Sequence, residues 1–303
     1  MEKCRQVSLW TEETAKTYGY VVNVICSDFG YDPDLQEMTV DWFVGYRQRS
    51  LERLSPVTFN SRRRHLSAMA KYAIDQGWLT KNVFRIVKPA PVPYKRPKSV
   101  PKDVLLDYIA TLERAYRIDR HGMAVEKFPP QWFWLACLQT LYYTGVRLRQ
   151  LVGLLWSDID FEAKSIRLRA ETSKTRREWE IPIAEPLLPI LLDLRKRTLA
   201  IRQAQLADHQ VFCLPLFGRR FQSKVMTKEH VARFFVRFMN ELPPDACRIS
   251  AHRLRHTTAT QLLKVKGNNL KAVQQLLGHT SVHTTLQYVH PDLDDMRAAV
   301  EAL

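Results

Sequence analysis

Prolines between residues 88 and 101 limit the possible folds of this chain more than any other feature of its sequence. They are Pro89, Pro91, Pro93, Pro97 and Pro101. Proline lacks a backbone N–H and disfavours helical conformation in the residue before it, so this stretch suits neither a helix nor an inner strand. We interpret residues 89–101 as an extended linker. It divides the 303 residues into domains at 1–88 and 102–303, each large enough to bury a core.

The chain is strongly basic, with a formal net charge of +15 and a pI of about 9.7. Such a charge predicts a polyanionic partner, and nucleic acid is favoured over an acidic membrane surface. The five cysteines are scattered without a CxxC pair, so neither a disulfide scaffold nor structural zinc is predicted. No apolar run suits a signal peptide or a membrane span. We therefore expect no membrane partner and a cytoplasmic, nucleoid-associated location.

The first domain is predicted to be helical, because apolar residues recur at helical spacing in 9–30, 39–54 and 59–76. Basic residues occupy the third of these helices and the linker. They are either a solvated charged surface or contacts to DNA phosphates, which position a protein without reading base sequence. The candidate DNA contacts in this half are Arg62, Arg63, Arg64, Lys71, Lys95 and Arg96.

The second domain is predicted to be mainly α with one small antiparallel sheet. Helices are expected at 101–116, 131–143, 187–207 and 228–239, with an exposed loop at 117–130. Alternating apolar residues in 165–170 and 178–183 predict two strands of a β-hairpin. The intervening ETSKTRR makes its tip strongly basic. Arg147 is expected to open a further helix, because it follows the helix-ending Gly145.

Three stretches carry the residues that point to chemistry: TGVRLRQLVGLLWSDID, AHRLRHTTATQLL and LLGHTSVHTTLQYVH. Tyr288 is the only tyrosine after Tyr143. A phenol is a weak nucleophile near neutral pH and needs a neighbouring base and a cationic cradle. Arginine suits a phosphate undergoing transfer, because its planar fork gives two parallel hydrogen bonds and keeps its proton. The pattern therefore favours attack by a tyrosine on a DNA phosphodiester.

These spaced motifs resemble the tyrosine recombinases, also called the phage integrase family. The resemblance is close from Pro101 to the C-terminus and looser over 9–97. It implies a two-domain DNA-breaking–rejoining enzyme fold with an N-terminal helical core-binding domain. It also implies catalysis without cofactor or metal. The implied catalytic residues are Arg147, Lys174, His252, Arg255, His279 and Tyr288.

The resemblance assigns each of these residues a catalytic role, and for each a purely structural or binding role is the alternative. Arg147 and Arg255 clamp the phosphate. Lys174 is the general acid for the leaving 5′ oxygen or only a phosphate contact, and Arg176 and Arg177 are further DNA contacts or, in a shifted alignment, its substitutes. His252 takes the phenol proton.

Some positions remain ambiguous. His256 is the alternative histidine, but we expect it on a different helix face from His252. His279 holds a phosphate oxygen or only caps a helix. Tyr288 itself could merely pack, since Val282, Leu286 and Val289 give its helix an apolar face.

One position departs from the family pattern. Gln150 stands where an acidic residue is usual, which removes an ion-pair partner able to orient an arginine. A glutamine still accepts a hydrogen bond, so we expect lower rigidity and an intact phosphate cradle.

The resemblance implies a site-specific DNA recombinase that works through a 3′-phosphotyrosyl link on Tyr288 and a Holliday junction. The resemblance implies a homotetramer on double-stranded DNA with paired inverted-repeat core sites. The C-terminal apolar stripe Leu293, Met296, Val300 and Leu303 is expected to dock on a neighbouring protomer or in its own domain. We expect no separate arm-binding domain. The alternatives are a type IB topoisomerase and a catalytically decayed DNA-binding accessory protein.

Overall fold

The chain forms two compact units, Met1–Lys95 and Arg96–Leu303, in a computed structural model. The border between them falls inside the predicted proline-rich linker. The structure describes residues 11–34, 36–93, 99–173, 176–202, 205–217, 225–265, 269–289, 297 and 300–301. Among these residues, no helix is both long and apolar enough to cross a membrane.

The first unit is a helical bundle. Its helices are α1 (Glu12–Phe29), α2 (Val40–Arg53), α3 (Pro56–Asp75) and α4 (Val83–Ile86). The third helix begins three residues earlier than its apolar periodicity predicts, because Ser55 caps it and Pro56 occupies its first turn. Phe43, Tyr46 and Phe59 are almost wholly buried at the centre of this unit.

The second unit is mainly helical, as expected. Its helices are α5 (Lys102–Glu113), α6 (Gln131–Thr144), α7 (Leu148–Gly153), α8 (Leu188–Arg202), α9 (Leu214–Phe217), α10 (Lys228–Met239), α11 (Ala251–Lys264), α12 (Leu270–Leu277) and α13 (Val282–Leu286). Helix α6 lies at the centre, where Phe133, Leu138 and Leu141 are fully buried. It ends at Gly145, whose left-handed φ of 63° lets the chain turn directly into α7.

The predicted hairpin is present with one additional strand. Strands β3 (Ile159–Asp160), β4 (Ser165–Leu168) and β5 (Trp179–Pro182) form an antiparallel sheet in the order β3-β4-β5. They follow β1 (Tyr116–Ile118) and β2 (Ala124–Glu126) in the chain. Ile166 pairs with Ile181 in its register. Both side chains are buried, which explains the alternating sequence pattern.

The prediction of an exposed loop at 117–130 was wrong in part. Strands β1 (Tyr116–Ile118) and β2 (Ala124–Glu126) pair there as a short antiparallel hairpin. Its turn is built by Asp119, whose Oδ1 accepts from the backbone N–H groups of His121 at 2.8 Å and Met123 at 2.9 Å. Strands of three residues with no buried face show no alternation of apolar residues, so sequence patterning missed them.

Candidate active site

Arg255 is the most deeply buried cation of the site, with only 4% of its surface exposed. It lies on α11, whose first turn is capped by Ser250. Its Nη1 donates to the carbonyl of Gly145 at 2.7 Å, and its Nη2 donates to the carbonyl of Leu277 at 2.6 Å. The guanidinium therefore joins the C-terminal ends of α6 and α12 and is held rigidly in place.

Arg147 stands beside Arg255 at the start of α7. Its Nη1 is buried and has no hydrogen-bond partner among the described residues. Burial lowers the pKa of Arg147, and burial followed by the charge of Arg147 lowers the pKa of Arg255 to about 9. Both groups remain charged at neutral pH. Among the described groups that act on these two pKa values, only Tyr288 raises them and so favours the charged guanidiniums.

Gln150 supports the backbone of this region. Its Oε1 accepts from the backbone N–H of Arg147 at 2.9 Å, which caps α7. Its Nε2 is buried without a partner in the described part of the chain. The amide therefore does not serve as a substitute for an ion-pair partner of the guanidinium.

Tyr288 follows α13 directly and is 5% exposed. Its backbone N–H donates to the carbonyl of Thr285 at 3.0 Å. Two histidine rings contact its ring: that of His279 is parallel at 5.9 Å between centroids, and that of His256 is tilted at 4.9 Å. Burial raises the pKa of Tyr288, while the charges of Arg255 and Arg147 lower it.

His279 is placed by the glycine before it. Gly278 adopts a left-handed φ of 61° at the end of α12, and the ring of Trp179 covers it. The His279 Nδ1 lies 2.9 Å from the hydroxyl of Thr285. Burial first, and then the charges of Arg255 and Arg147, lower the pKa of His279 to about 4. His279 is therefore neutral at neutral pH and is held as part of the wall behind Tyr288.

The expectation that His256 faces away from His252 was wrong. Residues four apart share a helix face, and the two Nε2 atoms lie 2.7 Å apart. His256 also contacts the ring of Tyr288, so the histidine that the sequence offered only as an alternative to His252 lies beside it in the site. The spacing of four residues in HRLRH is the signal that indicates a shared face.

The hairpin that carries Lys174 is anchored at its base. Lys174 itself lies outside the described residues. The buried Asp158 pairs with Arg169 at 3.0 Å between Oδ2 and Nε, and the Arg169 Nη2 donates to the carbonyl of Gly153 at 2.5 Å. This network fixes the start of the loop to the end of α7, which Arg147 begins. Beyond the tip, Arg176 and Arg177 are exposed.

The basic residues of the first unit fall into two groups. Arg62 pairs with Asp28 at 3.3 Å, and the Nε of Arg63 donates to the carbonyl of Val87 at 2.8 Å. These contacts give both arginines a role within the unit. Arg64 and Lys71 are exposed. The remaining candidates of that half, Lys95 and Arg96, lie outside the described residues.

The helix that leads to Tyr288 does not bury the expected apolar face. Val282, Leu286 and Val289 are 42%, 46% and 41% exposed, although Tyr288 itself is buried. Most of the C-terminal stripe lies outside the described residues, namely Leu293, Met296 and Leu303. Val300 is described and is 68% exposed.

Open space lies in front of the two arginines. A cavity of about 520 Å³ is lined by Arg147, His252 and Arg255 and, on its other side, by Phe235, Met239 and Ile249. In the described part of the chain, no three side chains of His, Cys, Asp or Glu are grouped to hold a metal ion. The site thus offers two cations, neutral imidazoles and a buried phenol beside a cavity.

Comparison with known proteins gives one consistent family. The profile of the phage integrase family matches residues 123–294. A putative tyrosine recombinase XerC of Pseudomonas aeruginosa is 31% identical over 295 residues, which cover 96% of this chain and 68% of that protein. A second, from Pseudomonas syringae, is 30% identical over 256 residues, covering 83% of this chain and 52% of that protein. The chain therefore spans between half and about two thirds of these relatives.

Solved structures share the fold at lower identity. The Tn1549 transposon integrase in complex with a circular intermediate DNA has a TM-score of 0.71 at 20% identity, covering 100% of this chain and 97% of that one. A lambda integrase tetramer bound to a Holliday junction has a TM-score of 0.66 at 22% identity, covering 93% and 72%. The mainly helical fold with small antiparallel sheets is therefore the fold of DNA-bound integrases.

Proposed function

Since this chain belongs to the phage integrase family, the tyrosine-type site-specific DNA recombinases, we propose that it cleaves and rejoins DNA through a 3′-phosphotyrosyl intermediate on Tyr288. One observation carries the proposal. Arg147 and Arg255 interact electrostatically with Tyr288, and among the described residues no carboxylate contributes to their pKa values. Arg255 is buried and Arg147 is half-buried. Two neighbouring cations in such a place need an anion, and a phosphodiester provides it.

The two arginines have complementary tasks. Arg255 uses Nη1 and Nη2 to hold backbone carbonyls, so it offers its remaining N–H groups from a fixed position. Arg147 has an unpartnered buried Nη1 to offer. Together they stabilise charge that gathers on the non-bridging oxygens during transfer. Because the donors are preorganised, little reorganisation is needed when the phosphate reacts.

The phenol oxygen of Tyr288 attacks the phosphorus, and the deoxyribose 5′ oxygen leaves with a proton. We assign that proton to Lys174, as a general acid on the basic hairpin. The attack is helped by the arginine charges, which lower the pKa of Tyr288 against the effect of burial. Two roles are open to His252: proton acceptor for the phenol, or hydrogen-bond donor to the phosphate.

Strand exchange follows from keeping the bond energy in the phosphotyrosine. A 5′ hydroxyl from a partner strand attacks the link, and two such rounds pass through a Holliday junction without ATP. We propose four protomers on two inverted-repeat core sites. The exposed apolar residues Val282, Leu286 and Val289 support a contact between protomers next to the nucleophile.

Two other functions compete with recombination. A type IB topoisomerase uses the same cleavage chemistry on one site and relaxes DNA. A decayed accessory protein binds DNA without cleaving it, and Gln150 was its only support. The hydrogen bond from the backbone N–H of Arg147 to Gln150 gives Gln150 a defined local task as a cap, and Arg255 is still buried and held by two backbone carbonyls.

The test is a covalent trap. Nicked duplexes made from the DNA that flanks the coding region lose the 5′-hydroxyl strand after cleavage, so the adduct accumulates. The wild type should give a denaturation-resistant protein–DNA band and Tyr288→Phe none, with equal DNA binding. Tyr116→Phe, at a 52% exposed tyrosine, is the matched control and should behave as the wild type.

A band from Tyr288→Phe, or none from any wild-type substrate, overturns the proposal. Recombination of two paired sites, against relaxation without a defined site, then separates recombinase from topoisomerase.

A further inference from the structure

The pair formed by His252 and His256 carries an inference that rests on the proposed function and deepens it. Both residues lie on α11, with their rings nearly perpendicular at 87° and their centroids 4.3 Å apart. Their Nε2 atoms face each other at 2.7 Å. His252 is exposed to the cavity, whereas His256 lies behind it against Tyr288. His256 is thus the only described ring that contacts both His252 and Tyr288.

Two facing imidazole nitrogens need one hydrogen between them. If both carry one, the N–H groups clash, and if neither does, two lone pairs face each other. Burial and then the charges of His252, Arg255 and Arg253 lower the pKa of His256 to about 4. Burial, Arg255 and Arg147 also lower the pKa of His252. Both rings are therefore neutral at neutral pH, and the question is which one donates.

The Nδ1 atom of His256 decides which of the two histidines donates the hydrogen bond between their Nε2 atoms. Its Nδ1 is buried and has no hydrogen-bond partner in the described part of the chain. A buried N–H without an acceptor is rarer in proteins than an acceptor left incompletely satisfied. The hydrogen of His256 therefore belongs on Nε2, where His252 accepts it, and the Nδ1 remains an unprotonated acceptor.

We propose that His256 is a positioning residue that holds His252 in its Nδ1–H tautomer, so that His252 meets the scissile phosphate as a hydrogen-bond donor and does not act as the base for Tyr288. The lone pair on the His252 Nε2 is already engaged by His256. The Nδ1–H is left for a non-bridging oxygen beside Arg147 and Arg255. The phenol proton then passes to a water molecule in the cavity, and not to His252.

This arrangement suits the charges around it. Protonated His252 would add a third positive charge next to Arg147 and Arg255, for which the described residues provide no compensating carboxylate. A neutral N–H donor adds a hydrogen bond to the phosphate without that repulsion. Because the hydrogen bond from His256 fixes the tautomer of His252, His252 can donate to the phosphate without becoming protonated.

A first test determines the tautomers of His252 and His256 directly and does not depend on DNA cleavage. Two-bond ¹⁵N–¹H correlation spectra of the full chain, labelled at histidine, distinguish Nδ1–H from Nε2–H rings. We expect the Nδ1–H form for His252 and the Nε2–H form for His256. In His256→Gln, whose amide donates from the Nε2 position, His252 should keep its form. In His256→Leu it should shift to the Nε2–H form that free histidine prefers.

An Nε2–H signal for His252 in the wild type overturns the inference whether or not the protein cleaves DNA. Absence of the covalent adduct, by contrast, counts against the proposed function alone, so the two failures are distinguishable.

A second test is kinetic and uses the nicked substrate. His256→Leu should slow adduct formation by about 10- to 100-fold, the loss that follows when a hydrogen-bond partner that orients a metal-bound histidine is removed. His256→Gln should restore most of the rate, with equal unfolding midpoints for both variants. In a His252→Ala background, His256→Leu should cause no further loss, because His256 acts through His252. Additive losses in the double variant would show that His256 acts on Tyr288 or on the fold.

The role of His252 is tested by a matched pair. His252→Asn places an amide N–H near the Nδ1 position and is not a base, whereas His252→Ala provides neither. If His252 is a donor, the asparagine variant should be at least about 10-fold faster than the alanine variant, consistent with a charge-assisted hydrogen bond. Equal rates would return His252 to the role of base.

Discussion

Replacing Gly278 by alanine should abolish most of the cleavage activity, although it changes no catalytic side chain. A Cβ at this position would lie 2.2 Å from Cζ2 and 2.4 Å from Cη2 of Trp179, and the residue has a φ of +61°. The indole cannot simply swing away, because its Nε1 donates to the carbonyl of Leu276 at 3.1 Å. The next carbonyl, of Leu277, accepts from Arg255. A shift of this turn therefore moves the buried arginine.

The cost in unfolding free energy has three contributions, one from the backbone conformation and two from packing around the added methyl group. Alanine in a left-handed conformation loses about 1 kcal/mol relative to glycine. Forcing an added methyl group against a packed ring costs about 1–3 kcal/mol, and breaking the indole hydrogen bond adds about 1 kcal/mol. Gly122 has a φ of +75° with no atom within 4 Å of its Cβ position. Gly122→Ala in the same unit therefore measures the conformational part alone, at about 1 kcal/mol.

Urea unfolding of the full chain and adduct formation are the two assays. We expect Gly278→Ala to lose about 3–5 kcal/mol of unfolding free energy and most of its cleavage activity, while Gly122→Ala keeps its activity. Trp179→Leu should relieve the overlap, so that adding Gly278→Ala to it costs only about 1 kcal/mol more. If Gly278→Ala is no worse than Gly122→Ala, or if Trp179→Leu gives no relief, the packing argument is wrong.

Two further predictions concern residues that the sequence singled out. Lys174→Ala should slow cleavage of normal DNA far more than cleavage of a 5′-bridging phosphorothiolate, because a thiolate leaves without a proton; equal defects would make Lys174 a binding residue only. Gln150→Glu should keep or raise activity and raise stability by up to about 1 kcal/mol, since a carboxylate completes the cap beside Arg147 and leaves no unpaired N–H. A thermal melt that moves down together with lost cleavage would contradict this.

Most of the fold could be predicted from periodicity. The helix at Lys228–Met239 has the predicted bounds, because its apolar residues recur on one face and Thr227 caps its N-terminus. The hairpin strands were predictable because Ile166 and Ile181 alternate with polar neighbours and are buried. The β1–β2 hairpin was not, because its register depends on the turn at Asp119 and on no buried face.

The sequence predicted which residue types belong to the candidate site, but it did not predict how their side chains contact one another. Spacing correctly placed Arg255 on α11, but it could not show that two of its nitrogens hold backbone carbonyls from distant helix ends. Those acceptors are more than twenty residues away in sequence and meet only in the packed unit. His256 was named only as an alternative to His252 and was assigned to the wrong helix face. The argument relied on the spacing of three between His252 and Arg255, although residues four apart also share a face.

Acid should weaken the second unit through His279. Its pKa is about 4 against an ordinary value of 6.5, so between these pH values the unfolded chain binds more protons than the folded one. The unfolding free energy therefore falls as the pH drops from 6.5 towards 4. From pH 7 to pH 5, one such histidine accounts for about 1–2 kcal/mol.

The matched variants that isolate this effect are His279→Asn and His283→Asn. Asparagine reaches the position of the His279 Nδ1, so it can keep the hydrogen bond to Thr285 without titrating. Wild type and His283→Asn, at an exposed histidine, should lose about 1–2 kcal/mol more than His279→Asn between pH 7 and pH 5. Identical losses in all three would show that His279 does not titrate as its burial requires. A bound phosphodiester should shrink the effect, because its charge offsets that of Arg147 and Arg255, which lower the pKa of His279.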